Sequence, residues 1–385
     1  MKIIKFINFS FVLGFLFFCS SAFAMSSSNE EDCDLRRTEV LRPLLSIHYQ
    51  EDEYVSKAVE IVRSVFESPV RPVGGSKYGM VFPIHPEVLK ELMMRLKDQQ
   101  DKVVLEIAGA SGDNALLLAF AGPGKVYLND IEDDEIAKFE SIKGTLPPAV
   151  QLRLESIGGS VFDILEKKPN LRNNVDHILC RNFLHFLTDK QHAEFFENVL
   201  KPIIKPDGEL IFTMNSPYNN DELKALLEKQ PGATKFQLTR CLLTIFGRNN
   251  DAACHSFFEI ASVCDEDLSP LDYTKKPIYE IENYECTPNF ENIMTYDPDI
   301  QDLIANKITP QSLGSFENGR ISILTNIVRA FTPENVSSFF ERYGFQVEDT
   351  FLITKDGHRF NSKNPWEGEL SDRPQQVGVI ARWKQ

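Results

Sequence analysis

A chain of 385 residues that is 42% hydrophobic can bury a large core, as one big domain or two smaller ones, and a charged fraction of 25% excludes long disorder. A net charge of −15, with no block of five or more Lys and Arg, excludes a general nucleic-acid or anionic-membrane binder, because phosphate neutralisation needs clustered basic side chains.

The first 24 residues read as a secretory signal. Lys2 and Lys5 give a charged start, Phe6 to Phe18 is an apolar run too short to span a bilayer comfortably, and Ala22-Phe23-Ala24 is a small-x-small cleavage site. A mature chain is expected to begin near Met25, exported to a periplasm or secreted, with membrane anchoring as the alternative if the segment is kept. No stable span is expected after cleavage. Residues 25–100 are expected to be a helical N-terminal segment, polar up to 34 and broken at "ESPVRPVGGSKYGMVFPIHP". Cys19 leaves with the signal, and the other six cysteines are an even number that permits disulfides. Cys180 lies in an apolar run and reads as a buried thiol, and no Cys/His spacing suits zinc, so no metal site is expected.

From 101 the pattern becomes short strands alternating with helices. Strands are expected at Val103–Ala108, Val126–Asn129, somewhere between Leu152 and Phe162, at Val175–Cys180 and at Glu209–Thr213. "TDKQHAEFFENVLKPIIKPDG" reads as a helix. Thr188 and Gln191 give it a capping box, Phe195, Phe196, Val199, Leu200 and Ile203 give it one apolar face, and Pro206-Asp207-Gly208 turns the chain into the next strand. Residues 216–330 show a helix at 221–229 and no clear strand alternation. The rhythm resumes with a helix capped by Thr332, opened by Pro333 and ended by Gly344, then strands at Gln346–Leu352 and Val377–Arg382. Such alternation implies parallel βαβ units with right-handed crossovers, and makes 216–330 an insertion before the last helix and strands.

The stretch "VVLEIAGASGDNALLLAF" at 103–120 carries an acid, Glu106, inside a strand and then the turn Ala108-Gly109-Ala110-Ser111-Gly112. It lacks the G-x-G-x-x-G of a dinucleotide site, so the turn alone leaves open a cofactor loop and a plain strand-to-helix connection. Four further segments follow in order. In "VYLNDIE", Asp130 ends the second strand 18 residues after Gly112, with Ile131 next; the alternative role for this acid is a solvated residue or helix cap. In "GGSVFDIL", Phe162 and Asp163 stand where Asp163 could equally cap a helix. In "VDHILCRNFLHFLTDKQ", Cys180, Arg181 and Asn182 are expected at the sheet's C-terminal edge, where open α/β sheets bind ligands, and His185 follows as a weak candidate base or a structural histidine. "KPDGELIFT" supplies the fifth strand.

Taken together, these segments resemble class I S-adenosylmethionine-dependent methyltransferases over about 101–215 and 331–385. That family's first motif is commonly acid-aliphatic-G-x-G-[ST]-G, and here Ala108 and Ala110 replace two of its glycines while Gly109 and Gly112 stand. The resemblance implies a doubly wound, mostly parallel Rossmann-like α/β sheet of class I methyltransferase type, with the cofactor half at 101–215, the end of the core at 331–385 and 216–330 as a lid on the substrate side. It implies S-adenosyl-L-methionine as cofactor, bound by Glu106, Ala108, Gly109, Gly112, Asp130, Ile131, Phe162, Asp163, Cys180 and Arg181. Asp130 would take the ribose hydroxyls, and Asp163 the adenine amino group with Phe162 and Ile164 beside the ring.

A sulfonium-activated methyl group forces no particular base, so the methyl acceptor, small molecule or protein, is left unidentified. Tyr78, Met80, His185 and Tyr218 are candidate substrate contacts, with ordinary packing as the alternative for the tyrosines and the methionine. A binding protein on a decayed methyltransferase fold is the competing function, favoured by the two alanines and the export signal. A dehydrogenase is disfavoured by the missing glycine pattern.

Overall fold

The computed structural model describes residues 71–72, 80–81, 86–96, 99–187, 189–230, 235–246, 252–264, 278–281, 320–354 and 357–384. The expected signal segment, Cys33, Tyr78, Thr188 and Cys286 lie outside them.

A buried helix, α1 (Pro86–Leu96), precedes β1 (Val103–Ile107), α2 (Asp113–Ala121), β2 (Lys125–Asp130) and α3 (Asp133–Lys143). Then come β3 (Leu154–Gly158), β4 (Val175–Arg181), α4 (Asp189–Glu194, continued by a π-helical turn Phe195–Leu200 and by Lys201–Ile203) and β5 (Ile204–Asn215). α5 (Asp221–Lys229) leads into four strands, β6 (Lys235–Phe246), β7 (Ala252–Cys264), β8 (Ile278–Ile281) and β9 (Arg320–Ala330). The described chain closes with α6 (Pro333–Arg342), β10 (Phe345–Ile353) and β11 (Gln376–Trp383).

The main sheet has seven strands in the order β10-β11-β5-β4-β1-β2-β3. β1 to β5 pair in parallel, and β11 lies antiparallel between β5 and β10. The expected doubly wound, mostly parallel sheet is therefore present. Parallel strands buried on both faces need apolar side chains on both, which is why "VVLEI" and "VDHILC" read as near-continuous apolar runs. One face packs on Leu89, Leu92, Met93 and Leu96 of α1 and on the wholly buried α2. The other packs on α4 and α6, where Phe196 sits among Phe339, Phe340, Tyr343 and Phe345.

The caps act as their sequences imply. Asn220 accepts the Leu223 amide at the start of α5, and Thr332 forms a capping box with Asn335 on α6. The expected turn at Pro206-Asp207-Gly208 is a left-handed kink at Asp207 (φ 59°) inside β5, where the pairing with β4 shifts register.

Two expectations are corrected. Residues 216–330 are not strand-poor: β8-β9-β6-β7 form a separate antiparallel sheet. In "KFQLTRCLLTIF" the apolar residues switch parity at Cys241-Leu242-Leu243, which hides the period of two. The break segment before α1 also contains a short antiparallel pairing, Arg71–Pro72 with Met80–Val81. Among the described residues no helix is long and apolar enough to cross a membrane, and no group of three His, Cys, Asp or Glu side chains could hold a metal ion.

Candidate functional site

β1, β2 and β3 lie on one side of the sheet's turning point and β4 and β5 on the other, so the order in which strands are added reverses between β1 and β4, which run parallel. Open α/β sheets bind ligands outside the carboxyl ends of their strands at that point. The turn after β1 starts there.

The turn is held from below. Glu106 is fully buried, and its carboxylate accepts from the Asn114 side chain at 2.7 Å and the Ala115 amide at 2.8 Å, capping the start of α2. Burial pushes its carboxyl up to about 7, opposed by the Arg181 charge and these two hydrogen bonds. Glu106 thus supports the turn from inside. The two glycines answer to packing. A Cβ on Gly109 would lie 2.6 Å from Glu106 and Leu128, and one on Gly112, at φ 72°, would lie 2.6 Å from Phe139. Ala108 and Ala110 stand at φ 50° and 52°. Both are left-handed positions, at which alanine is strained.

Asp130, at the end of β2, is buried. One carboxylate oxygen accepts the Ala110 amide at 2.7 Å and the other the Glu132 amide at 2.9 Å. Burial raises its pKa, while these two amides pull it down. Each oxygen keeps a second lone pair. Ile131 follows immediately and is 54% exposed. Beyond β3, Ser160 caps the turn Val161–Asp163 by accepting the Phe162 amide. The Asp163 side chain makes no cap and no other hydrogen bond or ion pair among the described residues, so the helix-cap alternative is not realised. Phe162 is half-buried against the α4-side core.

On β4, Cys180 is a free, buried thiol whose pKa burial and the nearby Glu106 push well above its ordinary value. Arg181 ends the strand, partly exposed. His185 is buried with its ring 4.2 Å from that of Phe186. Tyr218 is buried edge-on to Trp366, and burial raises its hydroxyl pKa, keeping the phenol protonated. Met80 is described only as backbone. The structure thus gathers the turn, Asp130, Ile131, Phe162 and Asp163 along the ends of β1 to β3, with Cys180 and Arg181 beside them. The structure places Asn182 at the edge expected for it from the sequence, while the sequence reading missed Asn114, which orients Glu106, and Thr213, Asn215 and Gln376 at the same edge on β5 and β11. Thr213 and Asn215 alternating with Phe212 and Met214 in "IFTMN" were the available signal.

No family model matches the sequence, and no characterised protein is similar to it at a significant level. Among solved structures the chain is similar to the glycopeptide N-methyltransferase MtfA complexed with S-adenosyl-L-homocysteine, at 13% identity over 77% of this chain and 88% of that one, with a TM-score of 0.40. It is similar to an S-adenosylmethionine-dependent methyltransferase from Clostridium acetobutylicum at 12% identity, 86% and 99% coverage and a TM-score of 0.40. One from Mesorhizobium loti is 12% identical, with 77% and 97% coverage and a TM-score of 0.38. The strand order is β3-β2-β1-β4-β5-β11-β10, with β11 antiparallel to both its neighbours. The fold is of class I methyltransferase type.

Proposed function

We propose that the chain is an S-adenosyl-L-methionine-dependent methyltransferase acting on a small-molecule or protein nucleophile. The observation that carries this reading is the unpartnered Asp163 carboxylate, set beyond β3 on the same edge as Asp130 and the exposed Ile131. A nucleoside fits these groups. Asp130 retains lone pairs for two ribose hydroxyls, Asp163 is a free acceptor for an exocyclic amine, and Ile131 and Phe162 offer apolar surface to a flat base.

When bound, the cofactor supplies a sulfonium-activated methyl group. The chain's part is to hold the nucleoside, to keep the turn in place through Glu106 and Asp130, and to exclude water around the acceptor. Neither the protonated Tyr218 nor the deeply buried Cys180 thiol is a ready base at neutral pH. Deprotonation of the acceptor therefore rests on the acceptor's own acidity, on solvent, or on His185. The segment 216–330 is proposed as a lid on the acceptor side, and residues 1–24 as an export signal. Neither nucleic acid nor a metal is part of this reading.

A second reading, a binding protein on this fold that does not turn over, is favoured by one observation: Ala108 and Ala110 at positive φ in the turn nearest the cofactor. Calorimetric titration with S-adenosylhomocysteine tests the first step of both. Micromolar binding with a 1:1 stoichiometry supports the nucleoside assignment, and absence of binding at millimolar ligand would overturn it. Methyl transfer from labelled cofactor to a candidate acceptor then separates enzyme from binder.

A further inference from the structure

The outer half of the cleft holds a set of buried groups that the cofactor assignment does not use. Side chains alternate along β5. Leu210, Phe212 and Met214 pack into the core shared with α4 and α6, while Ile211 packs with α1 and α2. Thr213 and Asn215 continue the Ile211 face, past the point where that apolar core ends. They are 2% and 7% exposed. Neither the Thr213 hydroxyl nor the Asn215 amide nitrogen has a hydrogen-bond partner. Buried polar groups are almost always paired, and an unpaired one costs free energy that something else must return.

The register places these two groups in a row. Thr213 is paired with Arg181 of β4 on one side and Gly378 of β11 on the other, and Asn215 is paired with Gln376. Gly378 has room only for hydrogen, because the Phe351 ring lies 2.3 Å from where a Cβ would stand. The Gln376 side chain donates to the Asn182 Oδ1 at 2.9 Å. Asn182 directly follows β4 at φ 52°, a left-handed position that asparagine tolerates; its backbone amide donates to Thr213 O at 2.8 Å, and its side-chain nitrogen makes no hydrogen bond among the described residues. Ser216 locks the strand end, donating its amide to Gln375 O at 3.0 Å and its hydroxyl to Pro374 O. The row is therefore rigid, lies next to the proposed cofactor edge, and offers hydrogen-bond donors: two from Asn215, two from Asn182 and the hydroxyl of Thr213.

We propose that Thr213 and Asn215, with Asn182 oriented by Gln376, bind the methyl acceptor, and that the group they take is an sp² oxygen, a carboxylate or an amide carbonyl next to the nucleophile. This rests on the methyltransferase reading for the word acceptor, but the binding itself does not. Donors predominate, so an ammonium group is a poor match. The Arg181 charge beside Thr213 suits a carboxylate, and the buried Glu106 offsets part of that charge, which suits an amide. The same donors serve either.

The experiment compares the parent with Thr213→Val, Asn215→Leu and the double variant. Acetate, acetamide and methylammonium are the probes, followed by saturation-transfer NMR with and without saturating S-adenosylhomocysteine. Acetate or acetamide should bind the parent at millimolar concentration, with affinity falling about tenfold or more in the double variant. S-adenosylhomocysteine affinity should stay within about threefold. Thermal unfolding should move upward, because isosteric apolar side chains remove two unmet polar groups. A binding site loses ligand while gaining stability, which a purely structural role does not do. Acetate against acetamide reads the charge of the acceptor group. Undiminished probe binding in the double variant overturns the proposal, as does methylammonium binding as well as acetamide, or a lower melting temperature with weaker S-adenosylhomocysteine binding. If the parent fails to bind S-adenosylhomocysteine, the methyltransferase reading falls, while the ligand-free arm still decides whether this row binds an oxygen.

Discussion

The carboxylate of Asp130 holds the backbone amide of Ala110 at 2.7 Å, tying the end of β2 to the turn that follows β1. The residue proposed to hold the ribose is thus also a fastener of the cofactor turn. A strand-end carboxylate with only a ligand role would leave the fold untouched when removed; this one will not. Asp130→Ala should weaken S-adenosylhomocysteine about 30- to 1,000-fold and lower stability by roughly 2–3 kcal/mol, as two buried amides lose their acceptor. Calorimetry and urea unfolding measure the two effects separately. Glu132→Ala, which leaves its own amide in place, should change affinity little. A larger loss at Glu132 would mean that the ribose acid is misassigned.

Asp163 gives the complementary case. Its carboxylate has no partner to lose, so Asp163→Ala should change stability by no more than about 0.5 kcal/mol. If it accepts the adenine amino group, the same change should cost roughly 10- to 30-fold in S-adenosylhomocysteine affinity. Equal affinities for parent and variant would remove Asp163 from the site.

The strained alanines suggest a gain-of-stability variant. An L-residue in the left-handed region costs about 1–2 kcal/mol, and glycine returns about 0.5–1 kcal/mol of that as extra chain entropy. Ala108→Gly with Ala110→Gly should therefore stabilise by about 1 kcal/mol and raise the melting temperature by about 2–4 °C. Cofactor binding should be at least as tight, since no methyl group is left facing the turn. A drop in melting temperature would show that the methyl groups pack usefully despite their dihedral angles.

Glu106 sets a pH dependence with a definite sign. The unfolded carboxyl ionises near its ordinary value of 4.5, whereas the folded one keeps its proton up to about 7. Between those values the unfolded state binds fewer protons, so stability falls as pH rises through the window and levels off above it. The fall should be on the order of 3 kcal/mol. Glu106→Gln can still accept the Ala115 amide and carries no charge, so its stability should lack this fall. Urea unfolding at pH 4.5, 6 and 8 checks it, and parallel curves for parent and variant would refute the assignment.

Much of the core was legible because each signal was local. β1, β2 and β4 are short apolar runs separated by capped helices, and they were placed to within one residue at each end. Asp130 was picked out because an acid at a strand end is visible in the sequence, and Asp163 because its segment resembles a family motif. What stayed hidden depended on partners far along the chain. The Asn182–Gln376 hydrogen bond joins residues that meet only when β11 inserts beside β5. The left-handed angles of Ala108 and Ala110 are set by the Asp130 and Glu106 contacts on either side of the turn, and alanine by itself announces nothing of the kind. The antiparallel sheet β8-β9-β6-β7 was missed because the apolar positions in the β6 sequence switch parity part-way along.

β11 lies between β5 and β10, and this placement orders events in time. While the chain is being made, β5 has a bare edge of amides and carbonyls until residues 376–383 emerge, although β1 to β4 are long since available. Folding cannot simply follow synthesis from the N-terminus, and an unpaired central edge is a template for aggregation. A chain cut before Gln376 should therefore be insoluble, and a soluble, cooperatively melting fragment 25–375 would contradict this. Late closure also keeps the polypeptide threadable, the condition in which the proposed export through a membrane channel would need to find it.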